Sequence, residues 1–167
     1  MKLNSVINMV KKDAILNKRK LESRFKVFQD KFQILCIDVD KFKFIDFDVA
    51  NCILSKASVS GVESKLNSSP VNQFSINQQC EIQIESKVQS VECLIVVPID
   101  SSAFGGVVIE TKLLSKFFWE LSDLLDDDFI IFEPSLNSSI KVLVDRTSSE
   151  ITNGDIFVKG SNLNLII

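Results

Sequence analysis

Along this chain the spacing of apolar residues changes repeatedly, and each change marks an element. From Asn4 to about Ser23 the period is helical: Leu3, Ile7, Val10, Ala14 and Leu21 share one side of a wheel, with Lys11, Lys12, Lys18 and Arg19 on a neighbouring face. Asn4 or Ser5 can cap this helix, and its last part, 17–24, also fits a loop. The stretch FKVFQDKFQILCIDVDKFKFIDFDV, Phe25 to Val49, is densest in aromatic and β-branched residues. It predicts strands near 25–29, 31–37 and 41–49. Phe32 to Ile37 is almost continuously apolar, as in a strand covered on both faces, whereas Asp46 and Asp48 alternate with Ile45, Phe47 and Val49 as in a strand with one wet face. The alternation changes phase between Phe44 and Ile45, which marks a bulge or bend.

Ser55 to Gln79 is rich in Ser, Asn and Gln, holds Gly61 and Pro70, and predicts a long loop or insertion. Strand patterns resume at Cys80 to Ile84, at Val88 to Val97 and, after the SSAFGG turn, at Gly106 to Ile109. Thr111 to Leu125 returns to the helical period, with Thr111 as N-cap. Leu113, Leu114, Phe117, Phe118, Leu121, Leu124 and Leu125 form its apolar face, opposite Lys112, Lys116, Glu120 and Asp123. Trp119 falls on the polar side, so another element covers it or it anchors a partner. Asp126, Asp127 and Asp128 belong to the following turn, because the helix dipole disfavours negative charge at a C-terminus. The tail predicts strands at 129–132, 140–144, 156–159 and 163–167, with turns at 134–139 and 147–155. The last strand, apolar and uncharged, is expected to be a free edge at which Leu163 and Leu165 meet another chain.

The expected fold class is α+β, one domain made of two helix-plus-antiparallel-strand units with helices packed on one face of the sheets. The first unit spans 1–54, the loop or insertion 55–79, and the second unit 80–167. Each half has the order helix, then two or three strands, which suggests an internal repeat.

A chain of 167 residues, 46% hydrophobic and 25% charged, can bury a core without staples. No run approaches the roughly 18 apolar residues of a membrane span. The opening MKLNSVINMVKKDAI lacks the order of a signal peptide, so an intracellular location is expected. Four cysteines without CxxC spacing read as buried free thiols. The absence of histidine removes the usual general base, the Ser-His and Cys-His pairs and most zinc sites. Gly105 and Gly106 form only a GG turn, not a phosphate loop. No catalytic residue, metal site or cofactor is therefore expected, and Asp38 and Asp40 read as turn residues rather than ligands. A net charge of −3 excludes a uniformly basic surface, yet Lys11, Lys12, Lys18, Arg19, Lys20 and Arg24 crowd six positive charges into fourteen residues. Such a face is either simply solvated or meets a polyanion.

Two segments carry a family likeness: KFQILCIDVDKFKFIDFDV (Lys31 to Val49), and VVIETKLLSKFFWELSDLLDDDFIIFEPSLNSSIKVLVD (Val107 to Asp145). The first is similar to a clamp hairpin in which an apolar strand ends at an Asp-containing turn. The second is similar to the clamp segment in which a leucine-rich helix with a central Ser-Lys precedes a charged turn and two strands. On these segments the chain resembles the DNA sliding-clamp superfamily, which includes proliferating cell nuclear antigen and the checkpoint clamps. The resemblance implies a non-catalytic subunit of a replication, repair or checkpoint complex, nuclear in location, with protein partner subunits. Its helices would face duplex DNA through Lys11, Lys12, Lys18, Arg19, Lys112 and Lys116, by salt-sensitive contacts to phosphates. The alternative from charge alone is an acidic protein-binding module, such as an immunity protein that blocks a toxin, using Asp38, Asp40, Asp46, Asp48 and Asp126 to Asp128.

Overall fold

A computed structural model describes residues 18–19, 22–23, 26–27, 29–30, 33–34, 41–59, 72–77, 80–87, 92–99, 105–125, 128–147 and 150–167. The elements run β1 (Phe42–Ile45), α1 (Phe47–Val59), β2 (Asn72–Asn77), β3 (Gln83–Ser86), β4 (Cys93–Pro98), β5 (Gly106–Glu110), α2 (Thr111–Lys116), α3 (Phe118–Leu125), β6 (Phe129–Phe132), β7 (Ser139–Thr147), β8 (Glu150–Lys159) and β9 (Leu163–Ile166). Seven strands form one antiparallel sheet in the order β1-β5-β4-β6-β7-β8-β2, and β3 pairs with β9 in a separate two-stranded sheet. The class is α+β.

The central strands explain their own sequences. In β4, Leu94 and Val96 enter one core while Ile95 and Val97 enter a second; in β6, Phe129 and Ile131 divide from Ile130 and Phe132 in the same way. Side chains alternate across a strand, so a strand covered on both faces must be apolar at every position, as CLIVV and FIIF are. The larger core is closed by Leu114 of α2, by Phe118, Leu121 and Leu125 of α3, and by Ile84 and Leu163 of the small sheet. The smaller core is closed by Ala50 and Ala57 of α1, with Ile53 and Leu54 beside them. Helices thus lie on both faces of the sheet, where one face was expected. Each fully buried Leu, Ile or Phe contributes roughly 1.5–3 kcal/mol to this arrangement.

The β4–β5 connection ends at Gly105 and Gly106. Gly105 has φ +76°, and a Cβ there would collide with the carbonyl oxygen of Ile45. Only glycine lets β1 approach this closely.

Several expectations are corrected. Within the expected strands at 25–29 and 31–37, the described residues Lys26, Val27, Gln29, Gln33 and Ile34 are helical. The expected strand 41–49 stops at Ile45, because Asp46 caps α1: its Oδ1 accepts the Val49 N–H at 2.9 Å and its carbonyl accepts Ala50 N–H at 3.0 Å. The phase change at Ile45 is therefore a strand giving way to a helix. The expected loop 55–79 contains the end of α1 and all of β2; 60–71 lies outside the described residues. Among the described residues, α1 lies between β1 and β2, where the expected first unit has only strands after its opening helix. Expected helix 111–125 is interrupted at Phe117, although Phe117 N–H still reaches Leu113 and Leu121 N–H reaches Phe117. Its N-cap position is Glu110, and the Thr111 hydroxyl donates instead to the Glu92 carbonyl at 3.1 Å. The expected turn 147–155 is mostly strand, since β7 runs to Thr147 and β8 begins at Glu150. Among the described cysteines, Cys52 is exposed and Cys80 and Cys93 are partly buried; all three are free thiols. Among the described residues, no helix is long and apolar enough to cross a membrane.

Candidate functional site

The most featured surface lies where α2 and the start of α3 run beside β3. Ser115 joins them: its Oγ accepts the Ile84 N–H at 2.9 Å and lies within donating distance of the carbonyls of Ile84, at 3.3 Å, and Thr111, at 3.2 Å. Further along, the Trp119 indole N–H donates to the Cys80 carbonyl at 2.9 Å, and the ring meets Phe118 edge-on at 5.3 Å. One side-chain hydroxyl and one indole thus tie a helix to the strand segment next to it.

Two clefts of about 710 Å³ each open along this seam, and both are lined by Gln83 and Ser115. The first gathers Glu85 from β3, Glu92 from just before β4, Glu110 from the end of β5 and Lys112 from α2. Glu110 pairs with Lys41 at 3.7 Å, and Glu85 accepts a hydrogen bond from Gln83 Nε2 at 3.0 Å. Among the described residues neither Glu85 nor Glu92 has an ion-pair partner. The neighbouring Cys93 thiol registers the resulting field: partial burial pushes its pKa up, and the charges of Glu110 and Glu92 push it further. The second cleft is walled by Glu81, Lys116, Trp119, Ile166 and Ile167.

The residues singled out from sequence fall in different places. Lys11 and Lys12 lie outside the described residues. Lys18 and Arg19 are helical and exposed, and Lys18 stands 4.0 Å from Glu22 one turn on. Lys112 and Lys116 are exposed on α2, but they border the clefts that contain the glutamates, and the Lys116 ammonium sits 5.0 Å from the Phe117 ring centroid. Trp119 is partly buried and fixed within the fold. Leu163 is only 2% exposed, its side chain in the larger core, so it is not a partner-facing residue; Leu165 packs against the same core. The last strand is also not unpaired, because β3 occupies one of its edges.

The expected aspartate surface is likewise redistributed. Asp46 caps α1, and Asp128 Oδ1 accepts the Val144 N–H at 2.9 Å. Asp48 is exposed on α1, while Asp38, Asp40, Asp126 and Asp127 lie outside the described residues. Sequence reasoning passed over Glu81, Glu85, Glu92 and Glu110. Glu81 and Glu85 were detectable, since they alternate with buried Ile82 and Ile84 and so had to face outward. Glu92 and Glu110 are brought together by the β4–β5 pairing, and Glu85 joins them only because β3 is tied to α2. Among the described residues no group of three or more His, Cys, Asp or Glu is arranged to hold a metal ion.

No family model, curated protein or solved structure matches this chain.

Proposed function

We propose that this chain is a non-catalytic protein-binding module that engages a basic surface of a partner protein at the cleft between α2 and β3. The observation that carries this reading is the convergence of Glu85, Glu92 and Glu110 on one cleft, two of them without an ion-pair partner among the described residues. Carboxylates held on strands and beside a helix are pre-positioned, so they steer and orient a cationic partner with little ordering cost. The test is co-purification after nuclease treatment. A stoichiometric basic partner retained by the native chain and lost with Glu85→Gln plus Glu92→Gln supports the reading; retention by the double variant overturns it.

A second reading, the clamp-like DNA-associated subunit, is favoured by Lys18 and Arg19, exposed together on helical residues. It calls for duplex binding that weakens steeply with salt and is lost when Lys11, Lys12, Lys18 and Arg19 are replaced by Glu. Lys112 and Lys116 contribute less to it than the resemblance implies, because carboxylates share their clefts. Both readings place the chain inside the cell as part of a complex, and the DNA reading places it in the nucleus.

A further inference from the structure

We infer that the two clefts act as one groove, which takes an extended segment of the partner polypeptide with cationic side chains at the Glu85–Glu92 end and an apolar side chain at the Trp119 end. This rests on the protein-binding reading and adds the form of the segment. The clefts share Gln83 and Ser115, so they adjoin beside α2. One half carries the carboxylates. The other presents Trp119 together with Ile166 and Ile167, which are 44% and 49% exposed. Trp119 has its N–H already bonded to Cys80, so its ring is a preformed apolar wall.

The charge balance favours a cationic occupant. Glu81, Glu85, Glu92 and Glu110 line the two halves against Lys112 and Lys116, and only Glu110 is engaged with a lysine, Lys41, among the described residues. Lys116 lies over the Phe117 ring. The form of the occupant follows from the hydrogen bonds across the seam. Ser115 joins α2 to β3 and lines both clefts, so one occupant of both passes over this contact with side chains on either side of it, as an extended segment does. Ser115 also occupies the Ile84 backbone groups on the helix-facing edge of β3, so the segment is held by its side chains and does not add as a strand. From Lys112 to Trp119 the helical hydrogen bonds continue across Phe117, so a rise of about 1.5 Å per residue gives roughly 10 Å. An extended chain spans this in about three residues. The segment therefore carries its basic and apolar groups about three residues apart.

Trp119 is the only tryptophan in the chain, so its emission reports on the groove directly. The probes are short synthetic peptides on a Gly/Ser background: an Arg pair followed three residues later by Phe, the Arg pair alone, Phe alone, and the Arg pair with Phe adjacent. The spaced peptide is expected to shift Trp119 emission and bind most tightly. Its affinity is expected to fall about tenfold or more with Glu85→Gln plus Glu92→Gln, and separately with Ile166→Lys. If the Arg pair alone binds as tightly and ignores Ile166→Lys, the composite groove is wrong while the acidic-cleft reading stands. Binding indifferent to Glu85 and Glu92 overturns both, and a Trp119 signal that no peptide moves overturns the groove.

Discussion

Glu133 is a carboxylate buried to 2% exposure with no cation beside it among the described residues, and neutral donors satisfy it instead. Its Oε1 accepts from Asn162 Nδ2 at 2.8 Å and from the Ser135 hydroxyl at 2.5 Å, which fastens the β8–β9 turn to the β6–β7 turn. Replacing it with Leu leaves the Asn162 amide without that acceptor, so Glu133→Leu should cost about 2 kcal/mol in urea unfolding. A change under about 0.5 kcal/mol would show that the network is dispensable. Ser139 is the opposite case: its buried hydroxyl has no partner among the described residues, so Ser139→Ala should leave stability unchanged or raise it by up to about 1 kcal/mol in the same assay. Cys93 supplies a pH readout. Its raised pKa means folding favours the protonated thiol, so this contribution is fully present below the ordinary thiol pKa and is lost as pH rises through the raised value. Alkylation near neutral pH should therefore be slower at Cys93 than at exposed Cys52, and Glu92→Gln should speed Cys93 selectively. Equal rates for Cys93 in the two proteins would mean that the cleft field does not reach the sulfur.

Ser115 decides how β3 sits against α2, and its removal tests that pairing. Ser115→Ala deletes the acceptor of the Ile84 N–H, so it should destabilise by about 1 kcal/mol and raise amide exchange at Ile84 far more than at Val96 in the central strand. Uniform acceleration across the sheet would place the effect in global stability instead. Elements with unambiguous periods were legible in the sequence: FIIF forms β6 at the expected residues, and the leucine spacing of 111–125 gives α2 and α3. The Phe25 to Val49 stretch was not, for two physical reasons. Phe25, Phe28, Phe32 and Leu35 recur at three- and four-residue steps, which is a helical period, yet their aromatic content favours strand by propensity. Around Asp46, the alternation Ile45-Asp46-Phe47-Asp48-Val49 imitates a strand, although Asp46 is an ordinary helix N-cap. Tertiary contact with Val97, Ile130 and Phe132 then holds α1 as a helix through Ala50 and Ala57.

At the scale of the whole molecule, the sheet makes the candidate site. Glu92 and Glu110 are separated by a β4–β5 hairpin, and pairing of Cys93 with Glu110 returns them to one end of the sheet. There Glu85 reaches them only because β3 is tied to α2. Long-range register of this kind has no local sequence signal, so the glutamates looked like separate solvated charges while the lysine-rich start of the chain stood out. The chain is only mildly acidic overall, with net charge −3, and the proposed binding depends on where these charges meet. The most direct test is a parallel titration of the native chain, followed by Trp119 emission at low and moderate salt, with the spaced Arg–Phe peptide and with a short DNA duplex. The account predicts that the peptide shifts the emission with salt-weakened affinity and that the duplex leaves it unmoved. A response to the duplex with none to the peptide would contradict it.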